Sequence, residues 1–499
     1  MTAAPNSPAG VVAALGPRTA GEVAEVTGGR LVPAGLDPET VVDGPVVLDS
    51  RYVEDRSLFL ALPGDHVDGH DFAAQAVDRG AALVLATRET LGPDGEVLPA
   101  VVVDDVAEAL GRLAAHHLAR LRRTGPVEVV GVTGSVGKTT TKDLLLQVLS
   151  AAGPTVAPER SFNNEIGLPL TVLRADASTR FLVLEMGASG LGHIAYLTRI
   201  APPDVAVVLR VGSAHVGEFG GVEAIATAKA EIVQGMVEGG TAVLNADDAR
   251  VAAMADLAVG SVTTFGTRAG ADVLAEAITL ADGARAGFDL VAGDRTAHVQ
   301  LGIIGEHHVT NALAAATVAL TVGVSLDDVA AALSGSRALS PHRMHVVDRA
   351  DGVTVLDDSY NANPDSMRAA LAALVALCEG GRRAVAVLGE MGELGDLSRS
   401  EHEELGALVA RLGVALTVVV GGGARPVADG AVGAGARAED VVVVDDVERA
   451  LATLDNALRP GDVVLVKSSN GAGLWRLADR LLDGPVDAGP VVGSTEGAR

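Results

Sequence analysis

Apolar and polar positions fall into short blocks along most of the chain, and the period of the blocks changes in a regular way. Between Pro45 and about Arg123, runs with strand character at 45–50, 57–62, 82–86 and 100–103 alternate with helical patterns and end in an amphipathic stretch at 106–123, where apolar residues recur every three or four positions. A small α/β domain is expected there. Thr124, Gly125 and Pro126 break the pattern. Beyond them, apolar runs at 127–133, 181–187, 204–211 and 241–246 are separated by helices, the rhythm of a mainly parallel sheet covered on both faces. The rhythm restarts near Ser340 and Pro341, with runs at 344–349, 353–359, 384–390, 416–422 and 462–468 and helices such as 364–377 and 400–412, which predicts a doubly wound third domain. Residues 486–499 carry neither period and read as a flexible tail. The expected fold class is α/β in three domains, with boundaries at 1–124, 125–338 and 339–485.

Composition narrows the function. A chain of 499 residues is too long for one core, which agrees with several domains. The longest apolar run, Ala369 to Cys378, is far shorter than the roughly 20 residues of a membrane helix. The first ten residues lack the basic start and apolar stretch of a signal peptide, so a cytoplasmic protein without membrane insertion is expected. A net charge of -26 argues against nucleic acid or anionic membranes as main partners. The single cysteine, Cys378, lies in an apolar helical run and reads as a buried structural thiol.

The strongest chemical signal is VEVVGVTGSVGKTTTKDLLLQVL at 127–149, a strand, a glycine loop and a helix. It departs from the strict phosphate-loop pattern because Val132 stands five positions before Gly137. The physics survives the departure. Thr133, Gly134, Ser135, Gly137 and Thr140 frame a loop whose backbone N–H groups and helix N-terminus suit phosphate, Lys138 neutralises charge, and the Thr139 hydroxyl suits Mg²⁺. Glu185 ends an apolar strand, where a carboxylate is placed to hold a metal. His215 follows the next strand, and Lys229 lies in an amphipathic helix, where a lysine is by default a solvent-facing charge.

Five motifs, TGSVGKTT, NNEIGLPL, LEMGAS, AHVGEFG with the following AKAEI, and GEHHVTNALAA, stand in the order that resembles the Mur ligase family. The resemblance covers almost the whole chain. It implies a small N-terminal α/β domain for a UDP sugar, a central mainly parallel-sheet ATPase, and a C-terminal Rossmann-like domain that closes over the nucleotide. It further implies an ATP-dependent ligase with two Mg²⁺ ions, one held by Thr139 and Glu185 and one served by His215 and a carbamylated Lys229. Asn163 and Asn164 match residues that orient the γ-phosphate and the substrate carboxylate, so Lys138, Lys229, His215 and Asn164 form the expected catalytic set. His308 and Asn311 match an adenine-contacting pair, although many relatives have a second asparagine in place of His308. Arg210 and Asn470 also depart from the family pattern.

Within the family, DDSYNANP at 357–364 is similar to members that add D-alanyl-D-alanine to UDP-N-acetylmuramoyl-tripeptide through an acyl phosphate. Asp358 matches a ribose contact there, and Asn361, Asn363 and Pro364 complete the motif. Arg343 matches a residue that reaches the nucleotide phosphates, Lys467 a dipeptide contact, and Ser50 and Arg51 contacts to the UDP moiety. The expected partners are those two substrates, with the protein as a monomer. A ligase adding the third amino acid, folylpolyglutamate synthase, and a catalytically silent nucleotide-binding subunit are the alternatives. The identity of the acceptor's third residue, lysine or diaminopimelate, stays open.

Overall fold

In the computed structural model the described residues are 13–14, 18–64, 67–212, 219–281 and 283–482. The chain divides into two compact units, with the main boundary between Ser340 and Pro341. The first unit contains two sheets. The smaller has six strands, with Pro45–Val47, Ser57–Leu60, Ala81–Ala86 and Ala100–Val102 parallel in its middle and Ala13–Ala14 and Arg30–Val32 antiparallel at its edges. The helix Val106–Thr124 follows this sheet. Asp105 caps it by accepting the Glu108 N–H at 2.9 Å. Its buried face, Val106, Ala109, Leu110, Leu113, Ala114, Leu118 and Leu121, has the helical spacing and packs on the helices Ala20–Thr27, Gly167–Leu173 and His193–Ile200. One hydrophobic core therefore runs from the small sheet to one face of the larger.

The larger sheet has nine strands. Glu128–Thr133 lies between Phe181–Glu185 and Val205–Val208, all parallel, with Val207 level with Val132 and Glu185 also paired to Val132. Both faces of these strands are buried, which is why their sequences are apolar without alternation. The sheet continues through Thr241–Asn245 and Ser261–Gly266 into an antiparallel meander of Val273–Ala281, Arg285–Ala292 and Arg295–Ile304. That meander is absent from the reading of the sequence. Its outer strand buries Val299, Leu301 and Ile303 on one side only, a half-buried period diluted by glycine, alanine and charged residues.

The second unit is a six-stranded sheet in the order His345–Asp348, Thr354–Asp357, Val463–Lys467, Ala384–Leu388, Leu416–Val420, Val441–Val444, parallel apart from the first edge strand. The last strand among the described residues returns to insert between earlier ones, so the C-terminal ends of Thr354–Asp357 and Val463–Lys467 are neighbours. Pro364–Leu377 begins with a capping box between Asn363 and Ser366 and has proline in its first turn. Cys378 is half-buried at the end of that helix, and burial pushes its thiol up to about 11. Among the described residues no helix is long and apolar enough to cross a membrane.

Candidate active site

The strand Glu128–Thr133 delivers the chain to the carboxyl edge of the sheet, where the loop 134–137 turns into the helix Lys138–Ser150. Gly137 has φ 86°, and a Cβ there would lie 2.3 Å from Asn311 Oδ1. Side chains are thus excluded from the turn twice over, by conformation and by contact. Lys138 folds back over the loop and donates to the Gly134 carbonyl at 2.7 Å. Ser135 ties the loop to the end of Val205–Val208, its hydroxyl accepting from the Gly212 N–H at 2.9 Å and its own N–H donating to the Arg210 carbonyl at 2.8 Å. The Thr133 side chain is enclosed in the strand, so only its backbone can serve the loop, while Thr140 is half-buried in the first helical turn.

Thr139 and Glu185 meet as the sequence suggests. Thr139 Oγ1 donates to Glu185 Oε2 at 2.9 Å, and Asn163 Nδ2 donates to Glu185 Oε1 at 2.8 Å. Glu185 is 1% exposed, so these hydrogen bonds offset the cost of burying its polar head. Ser161, which no sequence signal singles out, shares a 2.7 Å hydrogen bond with Thr139 Oγ1.

Lys138, Asn163, Asn164 and Lys229 all line a cavity of about 420 Å³ in the first unit. Asn164 spends its carbonyl oxygen on the N–H of Gly167 at 2.9 Å, just before Gly167–Leu173. Lys229 is the unusual member. It sits on the inner face of Val222–Gln234 and is 4% exposed, not on the solvent face that a lysine ordinarily takes. Burial, and secondarily the charge of Lys138, bring its ammonium down to about 7, so a large neutral fraction exists at physiological pH. His215 lies outside the described residues.

His308 and Asn311 share one face of His308–Thr321, with Asn311 Nδ2 and His308 Nδ1 3.0 Å apart. Burial first, and His307 second, hold the His308 imidazole well below the ordinary histidine range. It is neutral, and its ring lies against His307 at 3.9 Å between centroids. The pair borders the phosphate loop through the contact of Asn311 with Gly137.

The other expected residues fall elsewhere. Ser50 is buried and donates to Gln75 Oε1 at 2.7 Å, and Arg51 is an exposed fork closed on Asp49. In the second unit Lys467 is 1% exposed, with its ammonium 2.5 Å from Asp358 Oδ2 and 2.9 Å from the Asn361 carbonyl. It anchors the 358–361 segment from below. Arg343 lies over the Tyr360 ring at 4.2 Å, Asn361 accepts from the Ala362 N–H, and Asn363 and Pro364 begin the following helix.

Three family models match the chain: Mur ligase family, catalytic domain at residues 45–118; Mur ligase middle domain at 132–319; and Mur ligase, glutamate ligase domain at 342–470. The UDP-N-acetylmuramoyl-tripeptide--D-alanyl-D-alanine ligase of Mycobacterium tuberculosis is 47% identical over 500 residues, covering 93% of this chain and 97% of the relative. The solved UDP-N-acetylmuramoylalanyl-D-glutamyl-2,6-diaminopimelate--D-alanyl-D-alanyl ligase from Acinetobacter baumannii superposes with a TM-score of 0.81 at 32% identity, covering 94% of this chain and 99% of that one. The structure of MurF ligase from Thermotoga maritima in complex with ADP gives 0.72 at 31% identity, covering 88% and 96%.

Proposed function

The chain belongs to the Mur ligase family, and we propose that its phosphate loop and adjoining cavity join D-alanyl-D-alanine to UDP-N-acetylmuramoyl-tripeptide. It is an ATP-dependent ligase that forms a carbon–nitrogen bond and releases ADP. The observation that carries the site assignment is the pairing, in one cavity, of the loop lysine Lys138 with a buried amine, Lys229, whose charge is disfavoured.

The donor set fits Mg²⁺. Thr139 Oγ1 and Glu185 Oε2 are 2.9 Å apart, and adjacent oxygens around an octahedral ion with bonds of about 2.1 Å lie roughly 3 Å apart. We assign these two residues to the ion that accompanies the β- and γ-phosphates, and His215 with Lys229 to a second. When bound, Mg²⁺ withdraws charge from the phosphoryl oxygens. Only a neutral amine adds CO₂, so the lowered pKa of Lys229 favours a carbamate, which turns a repelling cation into an anionic oxygen ligand.

The acceptor's terminal carboxylate attacks the γ-phosphoryl group, ADP leaves, and an acyl phosphate forms. Lys138 offsets the charge gathered between the two anions, and the amide N–H groups of Asn163 and Asn164 orient them without adding charge. The amine of D-alanyl-D-alanine then attacks the acyl carbon and phosphate departs. An α-amine titrates at about 8, so roughly a tenth of it is neutral and nucleophilic at pH 7 without a dedicated base. The nucleotide contacts assigned to Thr133, Gly134, Ser135, Gly137, Thr140, His308, Asn311, Arg343 and Asp358, and the substrate contacts assigned to Ser50, Arg51, Asn361, Asn363, Pro364 and Lys467, belong to the same proposal. Lys467 acts in it by holding Asp358 in place.

Phosphate release tests this reading. Turnover that requires ATP, the tripeptide nucleotide and the dipeptide together, with a pentapeptide product by mass, supports it. Turnover only with a dipeptide nucleotide and a single amino acid moves the assignment to the ligase that adds the third residue.

A further inference from the structure

Lys142 is a buried charge that the proposed chemistry leaves unused. It follows Thr139 by three residues in Lys138–Ser150, so it lies about one helical turn beyond the residues assigned to the phosphates and the ion. It is 1% exposed, one of the largest fully buried side chains among the described residues. A lysine is kept at such depth only where partners compensate its charge. Its ammonium donates to the Pro158 carbonyl at 2.6 Å, lies 2.5 Å from Asp143 Oδ1 and reaches Ser340 Oγ at 3.4 Å. Asp143, itself 6% exposed, accepts the Ser340 N–H on its other oxygen at 3.1 Å.

Pro158 belongs to a segment, residues 157–163, that contains neither helix nor strand, so no backbone ladder sets its course. Side chains set it instead. Near its start, Lys142 holds the Pro158 carbonyl and Arg174 Nη1 holds the Ala157 carbonyl at 3.2 Å. Further along, Phe162 is buried in the core, Ser161 Oγ meets Thr139 Oγ1 at 2.7 Å, and Asn163 Nδ2 donates to Glu185 Oε1 at 2.8 Å. One segment thus supplies a hydrogen-bond partner to each of the two residues assigned to Mg²⁺. The ammonium also closes a ring, from the helix to Pro158, along three residues to Ser161, and back to the same helix at Thr139. Groups behind metal ligands orient those ligands and tune their affinity.

We propose that Lys142, with Asp143 as its counter-charge, is a positioning residue for the ion site: by holding Pro158 it keeps Ser161 and Asn163 against Thr139 and Glu185. The inference rests on the reading of Thr139 and Glu185 as the Mg²⁺ pair.

Calorimetry of ADP binding over a range of Mg²⁺ concentrations tests it without turnover. Lys142→Met with Asp143→Asn removes both charges together, so neither is left buried alone. The Mg²⁺ needed for half of the gain in ADP affinity should rise about tenfold, the scale of one hydrogen bond, with ADP affinity in the absence of Mg²⁺ unchanged. In turnover the Mg²⁺ requirement should rise likewise while the KM for D-alanyl-D-alanine stays put. Lys142→Gln in the same Asp143→Asn background keeps a donor for Pro158 and should recover part of the shift. Ser161→Ala, at a partly exposed position, should give a similar rise, and combining it with the Met variant should add little, because both break one path. Arg174→Met, which releases only the Ala157 carbonyl, should fold whatever becomes of the buried pair and shift the requirement the same way by a smaller factor. Ser340→Ala should leave it as in the wild type. An unchanged Mg²⁺ requirement in the Met variant, in Ser161→Ala or in Arg174→Met overturns the proposal, as do additive effects or a Ser340→Ala variant that reproduces the full shift. Wild-type ADP binding that does not respond to Mg²⁺ is a different result, since it removes the ion-site reading itself.

Discussion

Replacing Lys229 by methionine should make the first unit more stable while abolishing turnover. The ammonium titrates at about 7 in place of 10.5, and each tenfold change in proton affinity corresponds to about 1.4 kcal/mol. Keeping this lysine buried therefore costs the fold roughly 5 kcal/mol at full effect, and about half of that once local relaxation and water entry are allowed for. The sign fixes the pH window. Above pH 10.5 both folded and unfolded lysines are neutral and the cost vanishes. As pH falls the unfolded chain takes up the proton first, so the cost grows until about pH 7 and is constant below it. Methionine keeps the length and apolar stem of the side chain without the charge. In buffer free of bicarbonate and metal, Lys229→Met should unfold several degrees higher than the wild type at pH 7, and the gap should close towards pH 10. Calorimetry measures the first unit, while fluorescence of Trp475, the one tryptophan, reports on the second and should not move. A variant that is less stable than wild type, or a gap that does not vary with pH, would refute the reasoning.

Lys138→Ala should fold, lose at least about a hundredfold in turnover through lost charge stabilisation, and raise the pKa of Lys229, which NMR of the labelled lysine would detect. His308 is buried neutral, so the unfolded state binds its proton first below about pH 6.5 and stability falls with acid; His308→Asn should flatten that limb in melts at pH 5.5 and 7.5. Lys467→Met leaves the Asp358 carboxylate, 7% exposed, without its cation, and should destabilise the second unit by roughly 3–5 kcal/mol. The Trp475 unfolding midpoint measures this, and adding Asp358→Asn should recover part of the loss.

Much of the fold was legible because buried parallel strands leave uninterrupted apolar runs, and the glycine loop was legible because its conformation requires glycine at 137. The antiparallel meander at 273–304 was not. Its half-buried strands mix glycine, alanine and charges, so neither period dominates. Burial of single lysines also escapes the pattern. Lys142 looks like any helical lysine, yet it is 1% exposed, donating to the Pro158 carbonyl at 2.6 Å beside Asp143. Lys467 shows the same limit, since its ammonium closes on Asp358 inside the unit. Sequence position at a strand end places a residue near a site without saying which way its side chain turns. Asp105 and Glu165 make a related point: they are distant in sequence, and packing of their helices brings both to one cavity.

Oxygen transfer tests the central claim most directly. With a heavy-oxygen label in the terminal carboxylate of the tripeptide nucleotide, the released phosphate should carry one labelled oxygen, because the carboxylate oxygen that attacks phosphorus leaves with it. Unlabelled phosphate alongside normal product would mean that the carboxylate never bonded to phosphorus, and the account of Lys138 and Lys229 as the setting for acyl-phosphate chemistry would be wrong.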